Sequence, residues 1–167
     1  MSPEAFMKAA IQVAREGMEK GNAPIGAVLV LDNRIIASAH TAEVDEQRLL
    51  VHAEMLTLWT ADQLRPFPGK RRACTLFTTL EPCLMCLGAS MSFCVGKIYY
   101  ALESPADGAV QLGKDWQRDS AAMPSYRLPE IHGGLLREES KALFAEYVQR
   151  HHQSGLSEWA KTLVSLP

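Results

Sequence analysis

The stretch Thr79-Leu80-Glu81-Pro82-Cys83-Leu84-Met85-Cys86, TLEPCLMC, joins two apolar runs of different character. ACTLFTTL (73–80) is β-branched and reads as a strand, and CLMCLGASMSF (83–93) reads as a helix, with Pro82 at the junction where a missing N–H costs little. KIYYAL (97–102) follows as another strand, and two strands joined through a helix of this length predict a right-handed parallel crossover. Cys83 and Cys86 then share one face of the first helical turn, where unpaired amides and the helix dipole favour thiolates. On its own, the C-x-x-C spacing fits a metal clamp, a redox pair or packing.

Working outward, the chain continues to alternate. From Glu4 to Lys20, apolar residues recur at helical spacing, with Ser2-Pro3-Glu4 as a start and Gly21-Asn22 as a stop. GAVLVLD and RIIASAH, split by Asp32-Asn33, predict a hairpin, and HAEMLTLWTADQL (52–64) a helix ended by Pro66-Phe67-Pro68-Gly69. The pattern is lost from Glu103 to Tyr126, which predicts a loop. A short strand over 126–131, a helix from Leu136 to about His151 and a last helical turn around Trp159 complete the order. This is an α/β pattern without repeat or linker, so residues 1–167 are expected to form one domain.

The 167 residues are enough to bury a core without staples, and four cysteines are too few for a disulfide scaffold. A reduced, cytoplasmic setting is expected. No signal peptide or membrane-spanning run is evident, and the N-terminal helix mixes charge into its apolar positions. Net charge is −2, with a pI of about 6.2, which gives no general pull toward nucleic acid.

Val51-His52-Ala53-Glu54-Met55 supplies what the cysteine pair lacks. An imidazole with two thiolates makes a three-ligand zinc set whose fourth position stays open for catalysis. Two thiolates cancel the charge of Zn2+, so a nearby base becomes more necessary, and Glu54 fits that need. His52 and Glu54 would diverge in mid-helix, but at a helix entrance both can face the same point. A redox pair would explain nothing else in the chain, and its proline usually lies between the cysteines. A structural, non-catalytic zinc module would need Cys74, Cys94 or His40 to close the fourth position, and would give Glu54 no purpose.

HAE (52–54) together with TLEPCLMC and Pro24-Ile25-Gly26-Ala27-Val28 resembles the cytidine deaminase superfamily. Within it the likeness is to the branch of bacterial tRNA adenosine deaminases, bacterial guanine deaminases and fungal cytosine deaminase, and it runs to about Arg150. The resemblance implies a three-layer α/β/α sandwich with a five-stranded mixed sheet and a homodimer or larger assembly. It implies His52, Cys83 and Cys86 as zinc ligands, Glu54 as proton shuttle, and a substrate-facing N–H at Ala53. Thr41 stands where relatives commonly carry a substrate-binding asparagine, and it cannot supply that residue's bidentate amide edge. Asn22, Pro24, His40, Glu81 and Pro82 complete the candidate pocket. Leu49-Leu50-Val51 makes the approach to it more apolar than is usual.

The substrate reading favours a free purine nucleobase or nucleoside. Adenosine in tRNA is the alternative, because Pro105-Ala-Asp-Gly-Ala109 and the 126–140 segment resemble the tRNA enzymes. An RNA-binding surface needs cations around phosphates, and the only dense basic cluster, Lys70-Arg71-Arg72, reads as a solvated turn. Cys74, Cys94, Trp59 and Trp159 read as packing, Trp116 as a packing or substrate-facing residue, and His151-His152 as a solvent face.

Overall fold

The computed structural model describes residues 1–117, 119–151 and 155–167; His152 of the expected solvent-facing pair lies outside them. Helix α1 (Pro3–Glu19) leads into the hairpin β1 (Gly26–Leu31) and β2 (Arg34–His40). Asp32 and Asn33 both take positive φ, as a two-residue hairpin turn matched to strand twist requires. Helix α2 (Ala53–Asp62), a short 3-10 turn (Arg71–Ala73), β3 (Thr75–Leu80), α3 (Leu84–Phe93) and β4 (Lys97–Leu102) follow. The chain ends with α4 (Val110–Asp115), β5 (Glu130–His132), α5 (Arg137–Arg150) and α6 (Gly155–Val164).

Five strands form one mixed sheet in the order β2-β1-β3-β4-β5. The β1 strand pairs antiparallel with β2 and β3, whereas β3–β4 and β4–β5 are parallel, as the crossover through α3 predicts. Successive side chains of β1 alternate between two cores. Ala27, Leu29 and Leu31 pack with Leu58 of α2 and Leu87 and Met91 of α3; Val28 and Val30 pack with Phe6, Met7 and Ala10 of α1. All six β1 residues are therefore buried, as expected of a strand covered on both faces. A further cluster joins α1 to Leu143, Phe144 and Tyr147 of α5 and to Ala160 and Leu163 of α6. The result is the expected α/β/α layering.

Several details differ from expectation. The 103–126 loop contains α4, a six-residue helix too short and too glycine-interrupted to show a period. The last helical turn is a ten-residue helix, α6, which α5 stabilises by packing against it. Trp59 is 70% exposed and so is not core. Cys94 caps α3 in the left-handed region and is half-exposed, while Cys74 is buried as expected.

Helix α1 lies directly on β1 because Gly26 has no side chain. A Cβ there would come within 2.4 Å of both the Ala10 carbonyl oxygen and the Ala14 nitrogen, which are backbone atoms that cannot step aside. Gly26→Ala is predicted to cost about 1–3 kcal/mol of stability by overpacking, read as a lower urea midpoint at unchanged slope. An unchanged midpoint would contradict this account of how the first two layers meet.

Candidate active site

His52 and Cys83 occupy equivalent places in two helices: each is an N-cap in extended conformation, His52 for α2 and Cys83 for α3. The caps bring both helix N-termini toward one point, so the positive ends of two helix dipoles face the same groups. Cys86 is the third helical residue of α3. An N-cap side chain and that of the third residue lie on the same side of a helix entrance, which is the physical basis of the C-x-x-C spacing.

Nδ1 of His52 lies 3.7 Å from Sγ of Cys83 and 3.6 Å from Sγ of Cys86. All three donor atoms fall within 4.8 Å of one another. A tetrahedral zinc ion with Zn–N near 2.0–2.1 Å and Zn–S near 2.3 Å requires N···S edges of roughly 3.6 Å, so the donor set fits zinc in both chemistry and spacing. Among the described residues, Cys74, Cys94 and His40 do not join the cluster, so none of these closes a fourth position.

Charge is arranged unevenly over the three. The Cys83 thiol is lowered to about 4, first by the Cys86 thiol beside it and then by His52, so Cys83 carries the thiolate. That thiolate in turn raises His52 to about 9. Cys86 is pushed up, by Cys83 first and by burial next. Its Sγ donates to Oε2 of Glu54 at 3.4 Å.

Glu54 is 3% exposed, and desolvation raises its carboxyl above the usual range. The Oγ1 of Thr78, on β3, donates to its Oε1 at 3.0 Å and fixes the side chain beside the cysteines. Ala53 opens α2, so its N–H has no intrahelical partner. It is fully buried and lines a cavity of about 180 Å³ that also borders His52, Glu54 and Cys83.

The remaining pocket residues divide into walls and supports. Thr41 lines the cavity, but its hydroxyl already donates to the Val51 carbonyl and to Glu43, both at 3.3 Å. Glu81 also borders the cavity, and its carboxylate accepts from the N–H groups of Ser104 and Val110, each at 3.1 Å. Gly108 lets that loop close on Glu81, since a Cβ there would lie 2.4 Å from the carboxylate carbon. Asn22, fully buried, accepts from the N–H groups of Val44 and Asp45, so it shapes the loop that carries Glu43 from behind the cavity. The carbonyls of Pro24 and Pro82 accept from Thr79 Oγ1 and the Ala109 N–H.

His40 does not line the pocket, contrary to expectation. Strand alternation sends Thr41 toward the cavity and His40 toward α1. There Gly17 leaves room for the imidazole, Lys20 Nζ is 3.0 Å from Nε2, and Nδ1 is 2.6 Å from the Thr41 carbonyl oxygen. Trp116 packs edge-on against Tyr126 in a separate apolar groove. Sequence reasoning missed Ile25, Glu43, Leu80, Asp107 and Leu156, and favoured packing over stacking for Trp159; all six border the cavity. The 156/159 spacing on one helical face was the one available signal.

The basic cluster is largely consumed by structure. Arg71 pairs with Asp62 at 2.8 Å and lies over the rings of Phe67 and Phe93, and Arg72 donates to the carbonyls of Val95 and Ser125. No helix among the described residues is long and apolar enough to cross a membrane.

Comparison with known proteins places this geometry. Residues 1–102 match the family described as the cytidine and deoxycytidylate deaminase zinc-binding region. The chain is 44% identical over 107 residues to the tRNA-specific adenosine deaminase of Bacillus subtilis, a match spanning 63% of this chain and just under two-thirds, 65%, of that one. It is 32% identical to the tRNA-specific adenosine deaminase of Agrobacterium fabrum over 85% of this chain and 91% of that one. A solved structure from work on A-to-I editing by tRNA:A34 deaminases at the wobble position of transfer RNA is 31% identical, with a TM-score of 0.69, covering 83% of this chain and 98% of that one. The match over residues 1–102 covers more than half of the chain, and the chain belongs to the zinc-binding cytidine and deoxycytidylate deaminase family, whose chemistry is hydrolytic deamination.

Proposed function

We propose that residues 1–167 form one deaminase domain that converts adenosine to inosine in tRNA, with His52, Cys83 and Cys86 holding zinc and Glu54 moving protons. The convergence of His52, Cys83 and Cys86 beside the buried Glu54 carries the chemistry, and the relatives named tRNA-specific adenosine deaminase support the substrate. When bound, zinc supplies the Lewis acidity that makes a water nucleophilic near neutral pH. Glu54 takes one proton from the attacking water and passes it to the ring nitrogen as the C–O bond forms; it then takes the second proton from the new hydroxyl and gives it to the exocyclic amine, whose C–N bond breaks to release ammonia and leave a carbonyl. Burial raises this carboxyl above the usual range, and Thr78 holds it in place. The Ala53 N–H at the head of α2 is a fixed donor to the base, and Thr41, with its hydroxyl engaged, is a wall for it.

A second reading, deamination of a free purine base or nucleoside, draws on the cavity itself. Glu43, Glu54, Glu81 and Asp107 border it and, among the described residues, no lysine or arginine does, a poor setting for flanking phosphates. The volume of about 180 Å³ is below the ~300–1,000 Å³ of pockets for drug-sized ligands, so it suits a single heterocycle. We further infer a cytoplasmic homodimer, supported by the four unpaired cysteines and by exposed apolar residues such as Trp59 on α2 and Leu84 on α3.

Ammonia release by zinc-loaded protein is predicted with an adenosine-bearing anticodon stem-loop, and Glu54→Ala should lower it by at least ~10²–10⁴-fold while zinc content stays constant. Turnover of adenine, guanine or their nucleosides without the stem-loop would select the second reading. Full activity in Glu54→Ala would remove its assignment altogether.

Zinc uptake should also release protons. At pH 7 His52, raised to about 9, and Cys86, also raised, both hold a proton, whereas Cys83, lowered to about 4, does not. Both protons must leave for ligation, so about two are released per zinc and apparent affinity rises roughly 100-fold per pH unit across that range. Calorimetry in buffers of different ionisation enthalpy measures the number. Release of none would contradict the ligand assignment.

A further inference from the structure

Helix α6 lies beyond residues 1–102, where the family match ends, yet it forms part of the cavity that borders His52 and Glu54. It presents two faces. Ser157, Ala160 and Leu163 are buried, and Ala160 and Leu163 pack in the α1–α5 cluster, which anchors the helix. Leu156 and Trp159, one turn apart, pack against the edge of the same cluster but are only half-buried, and both border the cavity.

We propose that Trp159 is a substrate-binding residue on which the substrate base stacks; this rests on the deaminase reading of the same site. The indole is held by the fold yet borders an open volume of about 180 Å³. Its orientation is set in advance. Phe144, fully buried, holds it nearly perpendicular, at 85° with ring centroids 5.7 Å apart. A ring fixed in this way loses little freedom when a base lies against it, so the stacking free energy is retained as affinity. Ile25 and Leu80 add apolar lining, and Ala53, at the head of α2, adds a backbone donor. A flat ring with a polar edge suits that combination: faces against Trp159 and the aliphatic side chains, edge toward Ala53 and Glu54. Stacking is tolerant of base identity and of what the base is attached to, so this role holds for a base flipped out of RNA and for a free nucleoside alike.

Two readouts test it. In zinc-loaded enzyme, Trp159→Ala should raise KM for the turned-over substrate by roughly 5- to 150-fold, the loss expected for one base–aromatic stack, with a smaller change in kcat. Trp159→Phe should restore most of the loss, since a ring face returns. Independently of turnover, zinc-loaded Glu54→Ala protein is titrated with adenosine and with the adenosine-bearing stem-loop while tryptophan emission is followed. Trp59 and Trp116 are exposed and do not border the cavity, so quenching should occur and should vanish when Trp159→Phe is added. Quenching that persists in that double variant, or no quenching with either probe, overturns the proposal. So does a Trp159→Ala enzyme with unchanged KM, or one in which KM follows a lowered urea midpoint that phenylalanine fails to restore, because that is the behaviour of a brace. Failure of the native enzyme to turn over any base would instead defeat the substrate reading, and quenching would still decide the role of Trp159.

Discussion

Two helix entrances aimed at one point are the constraint on which the rest of this molecule depends. His52 caps α2 and Cys83 caps α3, and their donor atoms are 3.7 Å apart. That distance survives only if α2 and α3 are held side by side on the same face of the sheet, which is what Leu58, Leu87 and Met91 accomplish against Ala27, Leu29 and Leu31. The parallel step from β3 to β4 requires α3 to cross over the sheet, and so delivers Cys83 and Cys86 to the carboxyl end of β3. The architecture and the donor set are therefore one problem with one solution.

Burial of Glu54 is the second consequence. A carboxyl with 3% exposure is costly unless its oxygens are occupied, and the hydroxyl of Thr78 and the thiol of Cys86 occupy them. The same hydrogen bonds keep it beside the three donors. Around this centre the carboxylates of Glu43, Glu81 and Asp107 play different parts. Glu81 is tied to the 104–110 loop through two backbone N–H groups, and Asp107 accepts from Ser104 Oγ at 2.5 Å. Glu43, 3.6 Å from Nε2 of His52, contributes field more than contact.

Much of this was legible in the sequence for physical reasons. Strand and helix periods are local, so α1, the β1–β2 hairpin and the β3–α3–β4 unit could be read directly. C-x-x-C and H-x-E report the geometry of helix entrances, which is also local, and so His52, Glu54, Cys83 and Cys86 could be brought together before any coordinates were known. What could not be read depends on long-range packing. Whether His40 or Thr41 faces the cavity is fixed by strand phase and by the space left at Gly17. Arg71 and Arg72 read from sequence as a solvated turn, and only the fold shows that Phe67, Phe93 and the Val95 carbonyl engage them. Trp159 read as packing because nothing nearby in sequence ties α6 to a site built from His52, Glu54, Cys83 and Cys86, far upstream of it.

An open metal centre built from one imidazole and two thiolates has a distinct signature in X-ray absorption at the zinc edge of the loaded, substrate-free protein. Two sulfur scatterers near 2.3 Å and two nitrogen or oxygen scatterers near 2.0–2.1 Å are expected, one of the latter exchanging when a ligand enters. A shell with three or four sulfurs, or one that ligand leaves unchanged because protein groups fill every position, would contradict it.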